Sequence, residues 1–292
     1  MLQFIFFISS DLLYKKKKNI ILIGDKKITE FDFLPDEIKE IQNINFVTYK
    51  NYDEFISSKN NEIHEIIITK DSIQEQELNF SKKMTIRGIK IYTLLQWIEK
   101  TFNRTPCELL SPYEYFKSNY IPLYNFQLRI KRLGDIFLSL ILLIILLPIN
   151  LLLMIFIKLE DGGPIFYSQL RNGFKNKEFK IWKFRSMKID AENSGPKWAD
   201  RYDKRITKIG TIIRKMRLDE TPQLINVIVG QMSLIGPRPE RPEMDKDLNQ
   251  KINLYSQRYA IRPGLSGWAQ VNYPYGASIE DAKNKLSFDL FY

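Results

Sequence analysis

The apolar run LGDIFLSLILLIILLPINLLLMIFI, Leu133–Ile157, constrains this chain more than any other feature. At about 1.5 Å of rise per residue, a helix of this length reaches across a hydrocarbon core roughly 30 Å thick. No face of the run reads as polar, which argues against the core helix of a soluble protein. Pro148 lies inside it. A proline there removes a backbone donor and kinks or breaks the helix at a cost of about 3 kcal/mol. Asn150, close behind, offers a side chain to a backbone group freed by the proline. Lys131 and Arg132 precede the run and Lys158 follows it. Positive flanks favour the cytoplasmic side, so flanks on both ends set no direction for a crossing. On these residues a re-entrant hairpin and a plain span both stay open.

The remainder of the chain adds charge. Its 292 residues carry a formal net charge of +10, which implies an anionic partner: nucleic acid, a phospholipid surface or a phosphorylated substrate. One cysteine, Cys107, excludes an internal disulfide framework and fits a reducing compartment. One histidine, His64, excludes a histidine-based metal cluster and reads as a satisfied surface residue. The apolar start Met1–Leu13 is followed by Lys15–Lys18, the reverse of a secretory signal's order. It is shorter than the roughly 20 residues of a span and reads as a membrane-surface anchor or the remnant of a lost span.

The fold class is α/β, in four parts. Residues 1–18 are the short apolar and basic segment. Residues 19–104 alternate strand-like runs (NIILIG, INFVTYK, EIIITK, RGIKIY) with polar helical segments, and Leu94–Phe102 reads as a helix. This is a small Rossmann-like domain in degenerate form: Gly24 stands alone where a dinucleotide fold carries G-x-G-x-x-G. A structural or regulatory role follows. Residues 105–130, with Pro106, Pro112 and Pro122, form a linker. Residues 131–292 hold the membrane helix and a compact α+β domain with amphipathic surface helices. Within it, RYDKRITKIGTIIRKMR places Ile206, Ile209, Ile213 and Met216 at helical spacing among basic residues. That suits a membrane surface; it also suits a helix packed on a core with a solvated basic face, and the neighbouring apolar run favours the membrane. The interleaved residues are aliphatic rather than stacking aromatics, so nucleic-acid binding ranks last.

Chemistry-bearing residues are densest from Arg214 to Glu243. Asp219 and Glu220 follow Arg214, Lys215 and Arg217 and precede the apolar run Leu224–Val229, which Gly230 can end. Pro222 is tolerated in a first helical turn, which places Asp219 at a helix N-terminus, where free amides favour a phosphate. The usual role of such an Asp-Glu pair is a helix cap. An ionised carboxylate can instead attack phosphorus to give an acyl phosphate, provided that cations offset its repulsion from the phosphate. Arg214, Arg238 and a divalent ion, naturally magnesium, supply that charge. Pro237 and Pro239 stiffen the backbone around Arg238, whose planar fork can hold two phosphate oxygens.

From about Arg87 to Tyr292 the chain resembles the bacterial sugar transferase family, the monotopic polyprenyl-phosphate phosphoglycosyl transferases, and within it the exopolysaccharide-initiating branch. The resemblance rests on KRLGDIFLS, GGPIFYSQLRNG, FKIWKFRSMKIDAE, ITKIGTIIRKMRLDETPQLINV, GQMSLIGPRPERPE, RPGLSGWAQVNYPYGAS and EDAKNKLSFDL. It implies a re-entrant helix kinked at Pro148, although Leu147 stands where relatives with a Ser-Pro kink have serine. It implies Asp219 as nucleophile and Glu220 as its partner, with Arg214, Arg217, Arg238 and Gln223 around the substrate phosphates. It implies magnesium, with Glu220 contributing to the metal site. The implied reaction is ping-pong: Asp219 attacks the β-phosphate of a UDP-sugar, UMP leaves, and polyprenyl (undecaprenyl) phosphate accepts the phosphosugar, starting an exopolysaccharide, capsule or O-antigen repeat unit. The implied location is the cytoplasmic face of the bacterial inner membrane, in contact with its lipid, with homo-oligomerisation left open. Large relatives place several transmembrane helices before a Rossmann-like domain, and relatives often continue beyond the segment SFDLFY; against them this chain reads as short at both ends. The alternative is a catalytically silent membrane-bound scaffold or nucleotide-sugar-binding protein.

Overall fold

The computed structural model describes residues 18–24, 44–57, 63–69, 75–110, 125–189, 191, 203–274, 276 and 278–292. The expectations for Met1–Leu13, Pro112 and Pro122 lie outside the described residues. The chain divides into two compact units, Met1–Ser111 and Pro112–Leu290.

The first unit contains a four-stranded parallel sheet of β1 (Lys18–Ile23), β2 (Ile44–Tyr49), β3 (Glu65–Ile68) and β4 (Lys90–Thr93), in the order β2-β1-β3-β4. All four strand-like runs of the sequence are strands. The apolar continuity of β1 has a simple cause: both faces of the sheet are covered. Ile20 and Leu22 pack with Trp97 and Ile98 of α3 (Leu94–Phe102), reached after β4. Ile21 and Ile23 point the other way, toward Phe55 of α1 (Tyr52–Ser57) and Phe80 and Met84 of α2 (Glu75–Ile86). The ends of α3 are written locally: Thr93 and Gln96 form a capping box, and Asn103 closes the helix in the left-handed region. His64 accepts the Asn19 amide at Nδ1, and Cys107 is buried.

The second unit opens with α4, Asn125–Asp161, assigned without interruption through Pro148. At about 1.5 Å per residue its 37 residues extend roughly 55 Å. It is the one helix among the described residues long and apolar enough to cross a membrane, and most of its apolar stretch is exposed. Four of its described residues are buried, and three of these are polar: Asp135, Ser139, Asn150 and Ile157. At about 100° per residue all four fall within roughly 60° of one another. The sequence reading of a helix without a polar face therefore needs correction. A narrow polar stripe exists, and it faces protein while the leucines and isoleucines face outward.

That stripe is fastened at Asp135, Asn150 and Ile157, while the buried Ser139 hydroxyl has no hydrogen-bond partner among the described residues. Asp135 accepts from the Ser233 hydroxyl at 2.8 Å and the Leu234 amide at 3.1 Å. Arg132 donates to the carbonyls of Val227 and Ile228, at the C-terminus of α6 (Gln223–Val229), where a helix leaves carbonyls without partners. Asn150 accepts from the Thr221 hydroxyl at 2.9 Å, so its side chain meets a neighbouring turn rather than a backbone group freed by Pro148. Ile157 packs with Phe184 and Ile213, and Asp161 pairs with Arg185.

The hairpin of β5 (Phe166–Asn172) and β6 (Glu178–Phe184) is antiparallel. Helix α5, Lys208–Lys215, follows. Ile209 and Ile213 of the basic segment pack inward against Phe184, Ile206 sits in a bridge with Met187, and Met216 is exposed beside Ile212. The core-packing reading thus holds for Ile209 and Ile213, and an exposed apolar pair remains. Beyond α6 come β7 (Ser233–Ile235), α7 (Pro242–Lys251), β8 (Gly264–Ser266, parallel to β7), α8 (Trp268–Asn272) and α9 (Ile279–Phe291).

Gly210 lets α5 lie against the hairpin's outgoing strand: a Cβ there would sit 2.0 Å from the Ser186 carbonyl oxygen. Gly210→Ala is expected to destabilise the protein by about 1–3 kcal/mol through overpacking. Gly134→Ala, whose methyl meets nothing within 4 Å, leaves the melting temperature in detergent unchanged or raised.

Candidate active site

The site is built where α5 stops. Thr207 caps the helix by accepting the Gly210 amide at 2.9 Å, and Glu160 from the end of α4 accepts the Lys208 amide, also at 2.9 Å. At the other end Arg217 takes a left-handed conformation, φ 59°, and the chain enters a single 3₁₀ turn, Leu218–Glu220. Helix α6 begins only at Gln223. The expectation that Asp219 stands at a helix N-terminus is corrected accordingly. Pro222 has no N–H to continue an α ladder, so the turn closes one residue earlier, through the Thr221 amide to the Leu218 carbonyl at 3.2 Å. Asp219 caps nothing; with Glu220 it occupies a turn between two helices.

Both carboxylates are buried, at 7% and 6% residue exposure. Their surroundings differ. Lys183 from β6 lies 2.7 Å from Glu220 Oε1, and Arg238 reaches the same oxygen at 2.7 Å while its other nitrogen donates to Oε2 at 3.4 Å. Exposed Arg217 stands 3.7 Å from Oε2. Burial alone would raise the Glu220 carboxyl, but Lys183 and Arg238 outweigh it and hold the group well below the usual carboxylate range. Burial pushes Asp219 up; Lys183 opposes this, the charge on Glu220 adds to it, and Arg214 and Arg217 oppose it. Among the described residues the Asp219 side chain makes no hydrogen bond or ion pair. One carboxylate is therefore committed to cations and the other is open.

Arg238 is held by its backbone. The Pro237 carbonyl accepts from the Gly264 amide at 2.8 Å, Arg238's from Arg258 at 2.8 Å, Pro239's from Arg171 at 3.1 Å and Glu240's from the Asn172 amide at 3.0 Å. Four consecutive carbonyls are thus fixed from β8, β5 and the 3₁₀ segment Tyr255–Ala260. Arg258 is itself buried and pairs with Asp289 of α9 at 3.0 Å, with side-chain exposures of 7% and 2%. The stiffness that the sequence assigns to Pro237 and Pro239 comes equally from these donors.

Of the residues that the sequence placed around substrate phosphates, the structure brings Arg217 and Arg238 to Glu220. Arg214, on the last turn of α5, acts on Asp219 through charge without contact. Gln223 is buried at the start of α6, and its amide nitrogen has no hydrogen-bond partner among the described residues. Sequence reasoning missed Lys183, Arg171, Arg258 and Asp289. Lys183 follows the inward residues Phe179 and Ile181 of β6 at two-residue spacing, a register that puts a lysine on their buried face. The other three carry no local signal.

Among the described residues no group of three or more His, Cys, Asp or Glu side chains gathers to hold a metal. Magnesium needs only one or two carboxylates when substrate phosphates complete its shell. The open oxygens of Asp219 suit that role, whereas those of Glu220 are taken up by Lys183 and Arg238.

The sequence pattern of the family described as bacterial sugar transferase matches residues 126–292, the segment that contains α4, the dyad turn and the Arg238 turn. The chain belongs to the bacterial sugar transferase family. It is 36% identical over 222 residues to the UDP-N-acetylgalactosamine-undecaprenyl-phosphate N-acetylgalactosaminephosphotransferase of Aeromonas hydrophila, a match covering 76% of this chain and 52% of that protein. It is 37% identical over 179 residues to the UDP-glucose:undecaprenyl-phosphate glucose-1-phosphate transferase of Escherichia coli K12, covering 59% and 39%. With the exopolysaccharide production protein PSS of Rhizobium leguminosarum it shares 40% over 172 residues, covering 57% and 86%. The chain thus spans about half the length of the Aeromonas relative and less of the Escherichia one.

The buried pair behind Arg238 gives this member of the family a pH signature. Burial pushes Asp289 from 3.8 up to about 6, against the pull of Arg258. A raised carboxyl contributes stability below its unfolded pKa and loses it as pH rises through the folded value. Glu220, depressed, loses its contribution only in more acid solution. Between 3.8 and about 6 the wild type should therefore gain melting temperature on acidification relative to Asp289→Asn. A pH-independent difference would refute the assignment.

Proposed function

We propose that this chain transfers a sugar 1-phosphate from a UDP-sugar to undecaprenyl or another polyprenyl phosphate through a covalent intermediate on Asp219, releasing UMP and initiating an exopolysaccharide, capsule or O-antigen repeat unit. The observation that carries the reading is the asymmetry of the two carboxylates. Glu220 is tied down by Lys183 and Arg238, and Asp219 is buried, open and raised by its burial. A carboxylate made more basic and without hydrogen bonds among the described residues is a better nucleophile. Its oxygen would attack the β-phosphorus and form an acyl phosphate, as the bond from phosphorus to the UMP oxygen breaks and UMP leaves with that electron pair. The acceptor's phosphate oxygen then attacks the same phosphorus, and the Asp219 carboxylate is restored. Lys183, Arg214, Arg217 and Arg238 offset the charge that would otherwise repel a diphosphate. Where magnesium is bound, it neutralises the substrate phosphates, and Asp219 would hold it from the protein side.

We further propose that α4 is re-entrant and that the catalytic unit rests on the cytoplasmic face of the inner membrane. Both ends of the helix are bound to this one unit, Lys131, Arg132 and Asp135 to α6 and β7, and Glu160 and Asp161 to α5 and Arg185. Ends fastened to one folded body belong on one side. The first unit, with its doubly covered parallel sheet, reads as a Rossmann-like domain. Single cysteines introduced at Lys131 and Lys158 should be shielded together from a membrane-impermeant periplasmic reagent; labelling of one alone rules the hairpin out.

Relatives are named for glucose and for N-acetylgalactosamine, so both UDP-sugars belong in the assay. With donor and magnesium but no polyprenyl phosphate, the enzyme should release about one UMP per site and stop. Intact-mass analysis should find one added phosphosugar. Asp219→Asn abolishes burst and adduct, and Glu220→Gln slows turnover by freeing Lys183 and Arg238. A burst retained in Asp219→Asn and lost in Glu220→Gln would reverse the two roles; lipid and nucleotide binding without UMP release would favour a silent scaffold.

A further inference from the structure

We propose that Asn150 and Thr221 form a positioning pair through which the membrane helix sets the geometry of the Asp219–Glu220 turn. The proposal rests on the function assigned above, and it concerns residues that the motif reading left without a role in the site.

Asn150 is buried, while Ile149, Leu151 and Leu152 around it are exposed apolar residues. An amide in such a segment is costly unless it finds a partner. Its partner is the hydroxyl of Thr221, 2.9 Å from Asn150 Oδ1. Thr221 follows the dyad directly, and its own amide closes the dyad's turn onto Leu218. The Thr221 hydroxyl is also 2.9 Å from the Leu218 carbonyl, and one hydroxyl carries a single proton. Asn150 therefore competes with the turn's own carbonyl for that proton and draws the turn toward the helix. One turn further along α4, Leu153 and Met154 lie against the cluster of Ile157, Phe184 and Ile213, to which Leu218 also contributes. The helix thus grips the turn by a directed hydrogen bond at one end and by apolar packing at the other. A turn fixed only by packing can rotate by the fraction of an ångström that a directed bond forbids, and displacements of that order cost large factors in phosphoryl attack.

The experiment uses the full chain in lipid nanodiscs with UDP-sugar, magnesium and undecaprenyl phosphate. Asn150→Leu keeps the helix apolar, and Thr221→Val keeps the side chain's shape. Each should lower kcat about tenfold at unchanged KM for the UDP-sugar, and the double variant should be no worse than either. Thr221→Ser, which restores the hydroxyl, should recover most of the turnover. Unchanged kcat, losses that multiply, or a rise in KM alone would overturn the pair. Hydrogen exchange gives a readout independent of turnover: residues 214–224 should exchange faster in Asn150→Leu, with β5 and β6 unaltered. Equal exchange in that segment overturns the proposal. If the wild type released no UMP from any donor, the functional reading would fall, and exchange would still decide the pair.

Discussion

The second unit is organised around one desolvated negative charge, the carboxylate of Glu220. An isolated carboxylate at that depth costs several kcal/mol, and its surroundings must offset this cost. They do so from three separate segments: Lys183 on β6, Arg238 between two prolines, and Arg217 at the end of α5. Lys183 and Arg238 are themselves partly desolvated and need Glu220 in return, whereas Arg217 stays exposed. The hairpin, the dyad turn and the Arg238 turn are therefore fixed to one point, and loss of any partner leaves a buried charge exposed to its neighbours. Among the described residues four cations, Lys183, Arg214, Arg217 and Arg238, act on the dyad's two carboxylates and exceed their charge. That excess suits an entering diphosphate, and a site balanced internally would not provide it.

The membrane helix obeys an inverted rule. A surface helix of a soluble protein turns apolar residues inward; α4 turns Asp135, Ser139 and Asn150 toward protein and its leucines outward. In hydrocarbon this is the economical arrangement, since every polar group must be satisfied internally. It also means that the helix does more than hold the protein at a surface. Its polar stripe ends on β7, on the C-terminus of α6 and on the dyad turn, the elements that frame the site.

Much of this was legible in the chain. The four strands of the first unit follow from alternation of apolar runs with polar segments, and α3 from the run Leu94–Phe102. Asp219, Glu220 and Arg238 stand out as an acidic pair and a proline-flanked arginine in the densest run of chemistry-bearing residues, Arg214–Glu243. The dyad's local structure was misread, because Pro222 supports a helix start as readily as it blocks an α ladder from the preceding turn. The polar stripe of α4 was also in the sequence: positions 135, 139, 150 and 157 share a face once the helix is taken as continuous. Against so many leucines, three polar residues looked like noise. Arg171, Arg258 and Asp289 could not be found, because their roles depend on pairings between segments far apart in the chain.

Those distant pairings explain why the site includes the last helix. The guanidinium of Arg238 can only be aimed if its backbone is fixed, and the donor to its carbonyl is Arg258. Arg258 is a buried cation, stable there only because Asp289 and the Tyr255 hydroxyl surround it. Nearby, Tyr259 donates to Asp245, which also accepts from Asn172, so the same region ties α7 to β5. The order of dependence runs from α9 through Arg258 to Arg238, and from there to Glu220 and the open carboxylate beside it. Electrostatic stabilisation of a transferring phosphoryl group is effective when the charges need not reorganise during the reaction. Here the charge that would face the phosphate is oriented by backbone carbonyls and a second, hidden ion pair, both out of contact with any substrate. The charges that hold the site and the charges that would act on substrate are thereby separated, and Asp219 is left as the carboxylate free to react.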